Sequence, residues 1–99
     1  MSVVINNIIF DIGQELKKAK RKFPEWPTDP IHAALIVAEE SGELMKEILQ
    51  MVYEPHKTDI DKVRTEALQT AAMCIRFVHS IDNADYEFEE SFQHYQSDL

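Results

Sequence analysis

ALQTAAMCIRFV, running from Ala67 to Val78, decides the fold. Only Gln69, Thr70 and Arg76 interrupt its apolar character, and it contains neither glycine nor proline. A stretch of this length, built largely of Ala, Leu, Met and other helix formers, reads as a helix, and one that is apolar nearly all round must be surrounded by other elements. The pattern predicts a central helix over about residues 59–81, capped by Thr58 with Asp61 three residues on. Working backwards, Pro55 closes a preceding helix that starts at Asp29, a good N-cap, followed by Pro30 at the first helical position. In that helix Ala34, Val37, Ala38, Ser41, Met45, Ile48 and Leu49 are expected to face the core, with Glu40, Glu43 and Glu47 on a separate stripe. The link between these two helices is short, so they should be antiparallel neighbours.

Further out, Ile5, Ile8, Ile9, Ile12 and Leu16 recur at helical spacing and predict a first helix over residues 3–22. Its last turns carry Lys17, Lys18, Lys20, Arg21 and Lys22, placed where the helix dipole favours cations by about 0.3–1 kcal/mol each and where a polyphosphate would be attracted. Pro24, Pro27 and Pro30 impose an extended connection to the second helix. Beyond the central helix, Asn83 can cap a last helix whose Phe88, Phe92 and Tyr95 form an aromatic stripe. The fold expected is all-α, a single domain over residues 1–99 made of an antiparallel bundle of about four helices, with no sheet.

Composition bounds the function. The chain has 99 residues and a net charge of −8. A domain of this size buries only about two-thirds of its unfolded surface, so a homodimer or a dimer of dimers is expected. The charge argues against binding to a nucleic acid polymer, because the dominant electrostatic term would be repulsive. Cys74 is the only cysteine, which excludes an intrachain disulfide; its apolar neighbours predict a buried thiol, at home in a reducing cytoplasm. The run from Val3 to Phe10 lacks a basic leader and is too short to span a bilayer, so no membrane segment is expected.

Two acidic clusters sit inside otherwise apolar helices: Glu39-Glu40-Ser41-Gly42-Glu43, and Glu66-Ala67-Leu68-Gln69. Glu40 and Glu43, like Glu66 and Gln69, are three apart and lie roughly 60° from one another around the helix, so each pair shares a face. Two neighbouring helices would then aim four oxygen-bearing side chains at one point. Like charges held that close must be protonated, solvated or bridged by a cation, and hard oxygen ligands favour Mg²⁺ or Mn²⁺. The Glu-x-x-His motif of di-iron bundles is missing, since Lys46, Gln69 and Gln93 stand three residues after Glu43, Glu66 and Glu90. Gly13 and Gly42 are the only glycines, and neither opens a phosphate-binding loop.

The order EESGE, spacer, EALQ resembles the MazG-like all-α nucleoside triphosphate pyrophosphohydrolases, whose signature is EExxE followed on the next helix by ExxD. The likeness spans about residues 31–81, and DKVRTEALQTAAMCIRFV (Asp61 to Val78) is the part most similar to small phage and bacterial members. Gln69 stands where the family has Asp. The resemblance implies Mg²⁺-dependent cleavage of a (deoxy)nucleoside triphosphate to the monophosphate and pyrophosphate. It implies Glu40, Glu43, Glu66 and Gln69 as metal ligands, and Glu39 or Glu40 as the carboxylate that activates water.

Four more residues are candidates for binding substrate. A buried Arg76 needs a carboxylate or phosphate partner, and Lys62 lies on the same stripe as Glu66, with which it can also pair at i,i+4. Trp26 can stack on a nucleobase or anchor its loop to the core. His32 begins the second helix on a face near Glu39. The competing reading is a non-catalytic protein, an inactive relic of the same fold or an acidic binder of a basic partner surface, suggested by Gln69 and by an acidic stretch after Ile81.

Overall fold

A computed structural model of the chain describes residues 2–88. Among them, the chain forms helices α1 (Val3–Lys22), α2 (Pro30–Tyr53) and α3 (Ile60–Asp82), with one 3-10 turn, Pro55–Lys57, and no strand. Helix starts follow local chemistry. The Ser2 hydroxyl accepts from the Ile5 amide at 3.2 Å, and the Asp29 carboxylate accepts from the Ile31 amide at 3.0 Å ahead of Pro30. At α3 the cap is Asp59, which accepts from the Lys62 amide at 2.9 Å, rather than the expected Thr58. The Thr58 hydroxyl instead donates to the Glu47 carboxylate, a charged acceptor, while a carboxylate at Asp59 suits the positive end of the helix dipole.

α3 packs on both other helices, whereas α1 and α2 do not meet each other. That makes α3 central, as its apolar circumference requires. The start of α2 lies beside the end of α3, where His32 and Arg76 share a cavity, so those two helices are antiparallel. α1 runs parallel to α3: Asp11 pairs with Arg64 at 2.7 Å, Glu15 meets Gln69, and the Phe23 carbonyl meets Arg76. The bundle is therefore up-down-up.

One chain covers little of its apolar surface. Ala33, Leu68, Ala72, Met73 and Tyr86 are the buried hydrophobic residues, and among the described residues no large side chain is fully buried. Burying a side chain such as Leu68 or Met73 is worth about 1.5–3 kcal/mol, so a core this small leaves stability thin. The second helix is also turned from its expected orientation. Ala33, Val37, Glu40, Leu44, Glu47 and Met51 occupy the better-covered side; of the expected core stripe Val37 alone lies there, while Ala34, Ala38, Ser41, Met45, Ile48 and Leu49 are exposed. The helix carries apolar residues on either side of its acidic stripe, and a single chain offers it only α3 to lie against. Cys74 is exposed for the same reason: with Ile75, Val78 and Ile81 it lies on the side of α3 that neither neighbour covers.

α3 ends in a reversal of defined geometry. Asn83 is its C-cap; the Ala84 amide donates to Ile81 O at 3.0 Å and the Asp85 amide to Ser80 O at 3.0 Å. This is the Schellman pattern, with Ala84 at the position in left-handed conformation, φ 57°. Asn83 therefore closes α3, and its side-chain amide donates to Asp85 at 2.9 Å. No helix follows through Phe88. Phe92 and Tyr95 of the expected fourth helix lie outside the described residues.

Candidate functional site

The central feature is a cavity of about 910 Å³ between the three helices and the connection from Phe23 to Asp29. Helical spacing on α1 brings Glu15, Lys18, Ala19 and Lys22 to its wall, and the first half of α2 contributes His32, Ile36, Glu39 and Glu40. From α3 come Gln69, Ala72, Met73 and Arg76, on consecutive turns of one face. Phe23 and Trp26 close one end.

Trp26, His32, Glu39, Glu40, Gln69 and Arg76, all singled out in the sequence, thus line one space. Lys62 and Glu66 do not line it; they border a smaller hollow of about 320 Å³ together with Glu47, Asp59, Asp61 and Thr65. Glu43 is exposed and borders neither. Among the described residues Lys62 makes no ion pair with Glu66.

The carboxylates nevertheless sense one another across the two helices. The Glu66 carboxyl is raised above its ordinary value of 4.5, first by burial and then by repulsion from Glu40, Glu43, Glu47 and Glu15. Burial likewise raises Glu40, with Glu43 and Glu39 adding to it and Lys22 partly opposing. No Lys or Arg pairs with Glu39, Glu40, Glu43 or Glu66 among the described residues. The repulsion is only partly compensated, by Lys22 at Glu40, and the oxygens are hard donors, so the residue types fit Mg²⁺ or Mn²⁺. The side chains do not stand ready: among the described residues no three of His, Cys, Asp and Glu are grouped as metal ligands. Holding a cation requires these Glu rotamers to swing together.

Glu15 is the acidic residue that sequence reasoning missed. Its side chain is only 12% exposed, and its carboxylate accepts from the Gln69 side-chain amide at 3.5 Å, a long contact, and from Lys18 at 3.4 Å. The signal was its spacing, since Ile12, Leu16 and Ala19 flank it on the side of α1 that packs inward. Glu15 thus adds a negative charge from a different helix beside the neutral Gln69.

At the other end, Arg76 is only 6% exposed and has no carboxylate within 4.0 Å among the described residues. It donates to the Phe23 carbonyl at 2.9 Å, and its guanidinium carbon lies 4.9 Å from the centre of the Trp26 ring. Burial lowers its pKa, though an Arg keeps its proton regardless. A buried cation with neutral partners retains most of its capacity to bind an anion. Trp26 itself donates from Nε1 to the Tyr86 hydroxyl at 2.8 Å, a residue the sequence reading did not single out.

Compared with models of known protein families, with curated proteins and with solved structures, the chain gives no match. Among the described residues no helix is long and apolar enough to cross a membrane.

Proposed function

We propose that the chain is a Mg²⁺- or Mn²⁺-dependent nucleoside triphosphate pyrophosphohydrolase of MazG-like type, acting in the cytoplasm. The observation that carries this reading is one cavity in which Glu15, Glu39, Glu40 and Gln69 are joined by Trp26 and Arg76. Its volume, about 910 Å³, lies within the range of small-molecule sites, roughly 300–1,000 Å³. The carboxylates of Glu15, Glu39 and Glu40 suit a cation and the phosphates it neutralises, with Glu43 and Glu66 reaching it from outside the cavity, while Trp26 and Arg76, which pairs with no acid among the described residues, suit a planar ring and an anion.

In this reading Glu40, Glu43 and Glu66 hold the cation, with Gln69 as a neutral oxygen ligand or water-orienting group. When bound, the metal supplies charge neutralisation at the phosphate oxygens. Glu40, on the cavity wall beside Glu39, accepts the proton of the attacking water. Glu39, on the same wall, orients that water. Water adds across the bond between the alpha and beta phosphates, giving the monophosphate and pyrophosphate. Lys18 and Lys22 face the cavity as the cations available for charge developing on the leaving group, Arg76 stands beside Trp26 as a ligand-binding cation, and His32 borders the cavity as a hydrogen-bonding group. Lys62 neighbours Glu66 in the second hollow, from which it would act on the phosphates only through the field around the metal.

We also propose a homodimer or dimer of dimers, supported by the uncovered apolar sides of α2 and α3. The lack of a grouped set of three ligands favours the competing, non-catalytic reading. A panel of ribo- and deoxynucleoside triphosphates, incubated with Mg²⁺ and resolved by chromatography, separates the two: the enzyme releases pyrophosphate from at least one, the binder from none.

A further inference from the structure

The connection from Phe23 to Asp29 carries the aromatic end of the cavity, yet its middle has no backbone ladder to hold it. The backbone bonds at its two ends, Phe23 amide to Ala19 O at 2.8 Å and Ala33 amide to Asp29 O at 3.0 Å, belong to the flanking helices. Between them the connection is tied down by side chains of α3 and of the turn that follows it. Arg76 donates to the Phe23 carbonyl; Tyr86 does the rest. Its hydroxyl accepts from Trp26 Nε1 at 2.8 Å and donates to the Pro27 carbonyl at 3.4 Å, uniting segments 59 and 60 residues apart. The Tyr86 ring is buried, 5.5 Å from the Phe77 ring centre, which places the hydroxyl independently of the cavity's contents. The Schellman reversal at Ala84 turns the chain back so that Tyr86 reaches this spot.

We propose that Tyr86 is a positioning residue for ligand recognition: by holding the Trp26 indole over the Arg76 guanidinium it fixes the wall on which the planar ring of a nucleotide stacks. This rests on the nucleotide reading of the cavity. An indole N–H in a half-buried setting needs an acceptor, and Tyr86 is the one it has. Without that bond Trp26 can rotate away, exposing Arg76 and dissolving the wall. The phosphate-binding end is untouched, so ligand affinity falls while the chemical step does not.

Tyr86→Phe tests this, because it keeps the ring on Phe77 and removes only the hydroxyl. Trp26 is the only tryptophan, so its fluorescence reports the wall directly. The expected result is a red-shifted Trp26 emission with stronger acrylamide quenching, and a KM for triphosphate raised roughly three- to tenfold at unchanged kcat, the scale of one hydrogen bond. In a Trp26→Phe background, which has no N–H to hold, Tyr86→Phe should change KM no further. Unchanged emission and quenching in Tyr86→Phe would overturn the proposal, as would an equal KM effect in both backgrounds, which marks a general structural role. Wild type that neither binds nor turns over any triphosphate overturns the nucleotide reading instead; the emission and quenching of Trp26 then still decide whether Tyr86 holds it.

Discussion

Ala84→Gly should make the protein more stable. Ala84 occupies the left-handed position of the α3 terminus at φ 57°, where a Cβ approaches the following carbonyl. For an L-residue other than Gly this costs about 1–2 kcal/mol. Glycine removes that cost but adds freedom to the unfolded chain, worth about 0.4–1 kcal/mol in the opposite sense. The first effect wins, leaving a net gain of about 0.5–1 kcal/mol, or roughly 2–8 °C in thermal midpoint for a domain of this size. The two backbone bonds of the reversal, from Ala84 to Ile81 and from Asp85 to Ser80, need no side chain at this position and survive the change. Reversible thermal melts followed by circular dichroism measure it, with urea titration as a second determination. A midpoint lowered by the substitution would refute the reasoning, since it would mean that the Ala84 methyl contributes packing larger than its backbone strain.

Three other outcomes are expected. In metal-free protein the raised Glu40 and Glu66 carboxyls make the native state bind more protons than the unfolded state. The contribution of these two groups to stability is thus full below their ordinary value of 4.5 and is lost as pH rises through their folded values; Glu66→Gln should flatten that fall, and Mg²⁺ should oppose it in wild type but not in the variant, as melts across pH 4–7 would reveal. Arg76→Met should leave the thermal midpoint within a few degrees, because it removes a buried charge that has no acid partner, yet raise KM for triphosphate by at least about tenfold, the lower end of a charge-assisted bond. Light scattering at micromolar concentration should give at least twice the chain mass of 11.5 kDa, and Leu49→Glu on the exposed side of α2 should lower it; a monomeric wild type would remove self-association from the account.

Much of the architecture was legible because it is local. The three helix ranges follow from apolar periodicity, from Asp29 with Pro30, and from Pro55, each a short-range signal. What the sequence hid is rotational and long-range. α2 has apolar residues on either side of its acidic stripe, so its pattern does not say which side meets α3, and all of the stripe expected to be buried except Val37 is exposed. Cys74 was misread for a related reason: α3 is apolar all round, and a single chain covers only part of it. At the cavity, Trp26, His32 and Arg76 were legible one by one, but their convergence with Glu39, Glu40 and Gln69 depends on helix order. Spacing puts Glu15 on the inward side of α1, but its partner Gln69 lies 54 residues away and that of Tyr86, Trp26, lies 60 away, so neither pairing can be read from local pattern.

The most direct test of the central claim is the product ratio. Wild-type protein with Mg²⁺ and its best triphosphate should give nucleoside monophosphate and pyrophosphate in equal amounts, with turnover abolished by EDTA and nearly so by Glu40→Gln or Glu66→Gln. Diphosphate with inorganic phosphate, no product from any triphosphate, or full turnover in both Gln variants would contradict it.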